Sequence, residues 1–333
     1  MAYETGTSTN ITDLLDKLRL FAIANGWSVN RWITAGNGKE LCIQKGTSYF
    51  NFRSYFNETV IVNGISAASK HGLALNGSDG YNSGSTWDKQ PGYPLRGATT
   101  NGDQGHCYLP LVINTGPFPT YYFFAPNANT IYVELEVSTG VFLRFGCGSL
   151  DLFNVAAPGG GRFCYATTGD PSVTNGALSS DWLGVDADTS AYTCEMVPFR
   201  AADIQVNDYP RLRGSMLRCA YSAFDNWAGS GRTVYSGWMR MACQGGGIHD
   251  KTLREYSPNP MNGTGLILPN IVSLNISDAS LMPVGVMPGF RHLDISNYLP
   301  GDEFSLGSDT WKIFPMYQKG GIGYNRGVAY LKV

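Results

Sequence analysis

The stretch that decides the fold is PTYYFFAPNANTIYVELEVSTGVFLRFGCG, Pro119 to Gly148. An aromatic run closes at Pro126, Asn127–Asn129 supplies a turn, and TIYVELEV then alternates apolar with polar residues. Residues two apart on a strand share a face, so Ile131, Val133, Leu135 and Val137 point one way. Glu134 and Glu136 point the other way, the expected solvent side of an amphipathic strand. GVFLRFGCG follows at once, and 120–148 therefore predicts a three-stranded antiparallel meander.

Upstream, one segment reads as helix. From Asn10 the residues Ile11, Leu14, Leu15, Leu18, Phe21 and Ala22 recur at helical spacing. Asn10 or Thr12 can cap the start, and Asn25-Gly26 supplies a left-handed stop. WSVNRWITA, a GNGK turn and ELCIQK then form a hairpin, and SYFNFRSYF a third strand. Residues 67–112 are dominated by Gly, Asn, Ser and Asp, with no sustained period of either kind. A run of that length without elements is commonly functional or interface-forming.

Downstream, short strands separated by Gly, Pro and Asn clusters are expected to about residue 243, with one short helix near Ser180. RHLDIS, YLPGDEF, TWKIFPMY and GVAYLKV close the chain as four more short strands. The predicted class is α+β and β-dominated, an N-terminal helix plus meander with an inserted antiparallel β-sandwich. The expected organisation is 1–66 as an α+β base domain completed by 284–333, 67–112 as an interface loop, and 113–283 as the sandwich.

Charged residues make up only 15% of the 333, with a net charge of −2, and no segment gathers one sign. A nucleic-acid binder needs a basic stripe, so nucleic acid is not the expected partner. Surfaces poor in charge and rich in Tyr and Trp suit contacts between copies of one chain, and equally an ordinary β-rich monomer. Seven cysteines stand at Cys42, Cys107, Cys147, Cys164, Cys194, Cys219 and Cys243, with no CxxC pair among them. Their odd count and wide spacing predict free thiols in a reducing cytosol rather than disulfides or a zinc knuckle. MAYETGTSTN lacks the basic and apolar regions of a signal peptide, and no window is long and apolar enough to span a bilayer.

Each motif with chemical potential has a plainer structural reading. Glu134 and Glu136 form a same-face carboxylate pair of the kind used in glycoside hydrolysis, or simply a polar strand face. Asp186 and Asp188, and NGSDG at 76–80, offer oxygens to a hard cation but lack the ligand count of a calcium loop. His71, His106, His249 and His292 stand in no metal-ligand spacing, and Ser230 in AGSGR is not on a nucleophile elbow. GCGSLD at 146–151 and GGGR at 159–162 fail the dinucleotide and phosphate-loop patterns and read as turns. Trp27, Trp32, Trp87, Trp182, Trp227, Trp238 and Trp311 serve a core or a sugar platform, with Trp87 and Tyr93 in the loop region. No catalytic, cofactor-binding or metal residue is assigned.

Three stretches carry a resemblance. YETGTSTNITDLLDKLRLFAIANGWSVNR resembles the start of many tailed-bacteriophage virion proteins, with an ETGTATD-like entry, a helix around LLDKL and a GW leading into the first strand. PTYYFFAPNANTIYVELEVSTGVFLRFGCGSL is similar to their middle segment, and PGFRHLDISNYLPGDEFSLGSDTWKIFPM to their terminal region. The resemblance spans about half the chain; 67–112 and 165–265 lie outside it. It implies a non-enzymatic homo-oligomeric subunit of a phage tail or baseplate, made in host cytoplasm, with copies of itself and other virion tail proteins as partners. The alternatives are a receptor-binding tail protein that contacts host surface glycan, and a tail enzyme that degrades polysaccharide or cell wall. No cofactor and no membrane insertion are expected in any of these.

Overall fold

In the computed structural model, the described residues are 2–62, 65–92, 107–110, 115–153, 161–166, 194–198, 217–219, 239–241, 267–277, 280–295, 297–315 and 326–333. The chain opens with β1 (Ala2–Ser8) and α1 (Ile11–Ala24). Asn10 caps the helix: its Oδ1 accepts from Thr12 N at 2.9 Å and Asp13 N at 3.0 Å, satisfying two N–H groups with no partner inside the helix. At the other end Asn25 caps the last turn and Gly26, at φ +75°, turns the chain out. Leu14, Leu15, Leu18, Phe21 and Ala22 form the buried stripe that the spacing predicts.

A five-stranded antiparallel sheet follows in simple order: β2 (Ser28–Ala35), β3 (Gly38–Lys45), β4 (Ser48–Val62), β5 (Ile65–Ser78) and β6 (Cys107–Pro110). The expected structureless run from residue 67 is corrected here. Residues up to Ser78 belong to β5 and pair with β4 from Val62↔Ile65 to Tyr49↔Ser78. The period is obscured because both faces of this strand are covered. Leu73 and Leu75 enter the core shared with α1, while Asn76 and Ser78 are buried on the other face with their polar groups hydrogen-bonded.

The middle sheet is ordered β1, β7 (Phe118–Asn127), β8 (Thr130–Ser138), β9 (Val141–Ser149), β11 (Arg162–Ala166), β12 (Cys194–Pro198) and β13 (Leu217–Cys219). Its β7–β8–β9 portion is the predicted meander. A third sheet runs β14 (Met239–Met241), β15 (Ile267–Ser277), β16 (Ser280–Asp294), β19 (Arg326–Lys332), β18 (Asp309–Pro315) and β17 (Glu303–Leu306). The short β10 (Asp151–Leu152) pairs with β16. The fold is thus β-dominated, with one helix and several antiparallel sheets among the described residues.

Two cores flank the middle sheet. One face sends Phe123, Ile131, Val133, Leu135 and Phe145 against α1 and the first sheet, and Phe21 meets Phe123 at 5.3 Å between ring centroids. The other face sends Phe124, Tyr132, Phe142 and Phe163 against Met287, Phe290, Phe314 and Tyr330 of the third sheet. Each fully buried apolar side chain of this size stabilises the fold by about 1.5–3 kcal/mol. The sequence joined 1–66 with 284–333. Among the described residues, β1 of the first segment meets the last, with Tyr3 packed on the second core and beneath the Lys332 ammonium. The helix expected near Ser180 lies outside the described residues.

Candidate functional site

Three polar assemblies carry the chemistry of the described residues. The first is sealed between the middle and third sheets. Register places Glu134 of β8 opposite Arg144 of β9, and Arg144 Nε sits 2.9 Å from Glu134 Oε1. Tyr330 of β19 donates its hydroxyl to the same oxygen at 2.8 Å, and Arg144 Nη2 donates to the Pro315 carbonyl of β18 at 2.5 Å. Glu134 is 0% exposed and Arg144 1%. Burial pushes the Glu134 carboxyl up to about 7, against the opposing pull of the Arg144 guanidinium and the Tyr330 hydroxyl. Oε2 of the same carboxyl is likewise closed off from solvent.

The solvent-facing expectation for Glu134 is therefore corrected: the third sheet covers that face. Glu136 is half-buried at the rim, and its Oε1 accepts from Gly140 N at 3.0 Å. One carboxyl of the pair is committed to an internal joint closed to solvent, so the two do not form a substrate-facing acid–base pair. What the joint does is mechanical, because it ties β8 and β9 to β18 and β19 through four polar groups.

The second assembly holds the loop 79–92 over the outer face of the first sheet. Arg31 and Glu40 pair at 2.8 Å, and Arg31 Nη2 also donates to the Ser83 and Ser85 carbonyls. Gln90 is fully buried; its side chain accepts from Asn82 N and donates to the carbonyls of Asn82, Ser85 and Thr86. Beneath it, Asn51 donates to Asn76 Oδ1 and Ser78 Oγ, each at 3.1 Å. Arg162 of β11 clamps the loop's entry through Asp79 at 2.9 Å and the Thr47 carbonyl at 2.8 Å. Asp79 and Asn76 of the NGSDG motif thus serve internal bonding. Trp87 is only 6% exposed and packs on β3 and β4, so its ring offers no face to a sugar.

The third is an open groove of about 500 Å³ beside the start of α1, lined by Asn10, Asp13, Asp16, Trp32, Asn37 and Lys39 among others. Much of its polar lining is already engaged. Asn10 caps the helix, Asp13 bonds Thr9 N and Lys17, and Asp16 holds Arg19 at 2.7 Å. Burial opposes ionisation of Asp13, but the Thr9 N–H and Lys17 outweigh it and hold the carboxyl below the usual range. The half-buried Trp32 ring has the Arg19 guanidinium at 5.1 Å and the Lys39 ammonium at 5.4 Å. The groove is a set of satisfied helix-entry contacts around an indole already in contact with two cations.

Other sequence candidates scatter. His71 accepts from Asn57 N at 3.2 Å, and burial lowers its pKa. Gly146 and Gly148 lie within β9, and Gly161, at φ +71°, turns the chain into β11. Trp27 and Trp311 are buried. Asp186, Asp188, His106, His249, Ser230, Tyr93, Trp182, Trp227 and Trp238 lie outside the described residues, as does the His292 side chain. Among the described residues no group of three or more His, Cys, Asp or Glu could hold a metal ion, and no helix is long and apolar enough to cross a membrane. Sequence reasoning missed the Glu134–Arg144–Tyr330 joint. Its one signal was Arg144 opposite Glu134 in a predicted hairpin. No protein-family model and no curated protein matches the chain.

Proposed function

We propose that the protein is a non-enzymatic structural subunit of a phage tail or baseplate that assembles as a homo-oligomer in the virion. The observation that carries the reading is where the three resembling stretches lie. YETGTS of β1 pairs with FPTYYFFA of β7, Tyr3 facing Phe124 and Gly6 facing Tyr121. WKIFP of β18 packs on the same strands, with Phe314 at 4.8 Å from Tyr122 and 6.1 Å from Phe124. Segments more than 180 residues apart in sequence thus build one packed unit, as a shared structural module would.

Within this proposal the body 113–283 is an inserted antiparallel β-sandwich, and the interface loop expected over 67–112 is confined to the residues between β5 and β6. The antiparallel pairing of β7–β9 and β11–β13 supports the first of these in part. Exposed Leu299, Leu306 and Phe153 give apolar surface that a neighbouring subunit would cover. Such a subunit is made in host cytoplasm and ends in the tail, with copies of itself and other tail proteins as partners. Light scattering on the purified chain, followed by an electron-microscopy map of the particle, tests the reading. Symmetric multimers in solution and density for this chain in the tail are expected. A persistent monomer that is absent from the particle would overturn it.

A further inference from the structure

The register of the middle sheet places Cys147 of β9 directly opposite Cys164 of β11. One strand pair further on, Cys194 of β12 stands opposite Cys219 of β13. In a chain whose cysteines form no close sequence motif, four of the seven are brought into facing positions by strand pairing alone. Directly opposed residues of an antiparallel pair have Cα atoms about 4.5–5.5 Å apart. That separation lies inside the roughly 4.4–6.8 Å that a disulfide spans. Cys147 and Cys164 point to the same face, are buried in the same core, and are thiols in this structure.

We propose that Cys147 and Cys164 are a cross-strand dithiol that closes to a disulfide when the protein meets a small-molecule disulfide such as oxidised glutathione. The thiolate of one cysteine attacks the glutathione disulfide, forming a mixed disulfide and releasing one glutathione thiolate. The facing cysteine then gives up its proton and attacks the protein sulfur of that mixed disulfide, releasing the second glutathione. Two electrons pass from the two protein sulfurs to one glutathione disulfide, which leaves as two thiols. Burial raises the Cys147 thiol far above its ordinary value, so little thiolate exists in the closed sheet. Reaction therefore proceeds through local parting of β9 and β11, and the pair stays reduced until such opening coincides with an oxidant. The product would join the 118–149 meander to the strands that follow it. Cys42 is the internal reference: it is equally buried, but its register partners are Arg31 and Asn51, so no thiol faces it. This inference stands independently of the tail assignment.

The full-length protein is incubated with oxidised glutathione in sub-denaturing urea, remaining thiols are alkylated, and a non-reducing digest is mapped by mass spectrometry. The expected result is a peptide linking Cys147 to Cys164, formed at the expense of both alkylated peptides and lost on adding reductant. Cys147→Ser should abolish the linked peptide and leave Cys164 carrying glutathione, whereas Cys42→Ser should leave the link unchanged. Should Cys147→Ser fail to fold, the wild-type map decides alone. Recovery of Cys147 and Cys164 only on separate peptides, or linked to other cysteines, would overturn the proposal.

Discussion

One face of β7–β9 presents Phe123, Ile131, Val133, Leu135 and Phe145 to α1 and the first sheet. The other presents Phe124, Tyr132, Glu134, Phe142 and Arg144 to β16, β18 and β19. Both faces are buried, yet they are held differently. The helix side is apolar but for Tyr121, whose hydroxyl donates to Glu4 at 2.8 Å, so its stability follows chiefly the area removed from water. The third-sheet side joins stacked rings, such as Phe124 on Tyr330 at 4.8 Å, to an ion pair with almost no contact with water. An apolar contact tolerates small shifts, whereas a buried charge tolerates none without its partner. One sheet can thus have a face robust to pH and a face that senses it.

Cutting the joint should have the largest effect. Glu134→Ala removes the carboxyl that pairs with the buried Arg144 guanidinium, and an arginine cannot shed its proton. A loss of roughly 3–5 kcal/mol in urea unfolding is expected. Arg144→Met should cost less, because the carboxyl it leaves behind can take up a proton. Replacing both partners, Glu134→Leu with Arg144→Met, should recover most of the loss. A double variant as unstable as Glu134→Ala would show that the seam needs charge.

On the apolar face, Leu18→Ala removes a side chain buried between α1 and its sheets and should cost about 2–5 kcal/mol at every pH. A loss below about 0.5 kcal/mol would mean that the helix phase is wrong.

The two faces should separate most clearly on a pH axis. The folded Glu134 carboxyl lies near 7, above its ordinary 4.5, so the native state keeps a proton that the unfolded chain has already lost. Its stabilising contribution is full below pH 4.5 and is lost as pH rises through about 7. Wild type should therefore lose roughly 3 kcal/mol relative to Glu134→Gln across that window. Leu18→Ala should run parallel to wild type throughout. Parallel curves for wild type and Glu134→Gln would place the Glu134 pKa at its ordinary value.

The smallest effect belongs to the rim of the third sheet, where Glu303 accepts from Lys312 at 2.9 Å and Lys332 at 3.0 Å. These side chains are partly solvated, so Lys332→Ala should cost less than about 1 kcal/mol, and salt should erase the difference. A cost like that of Glu134→Ala would make the rim part of the seam.

How far each feature was legible follows from the range of the interaction that forms it. The helix could be read because its cap, stop and apolar stripe all lie within Asn10–Gly26. The β2–β3–β4 and β7–β8–β9 meanders could be read because their turns and alternation are local. β5 hid because its polar residues are buried by the returning loop 79–92, so polarity there did not mean exposure. The joint hid for the same reason. A charged strand face reads as solvent-facing until something covers it, and what covers Glu134 is β19, 196 residues away.

The sequence by itself therefore determined the local elements, the apolar stripe of α1 and the low-charge, aromatic-rich composition, since propensity, capping and periodicity act over a few residues. Only the tertiary structure decided that both faces of β8 are buried, that Glu134 meets Arg144 and Tyr330, and that Cys147 faces Cys164. Those outcomes depend on which sheets stack and in what register, and long-range pairing of that kind is written in no single window of the chain.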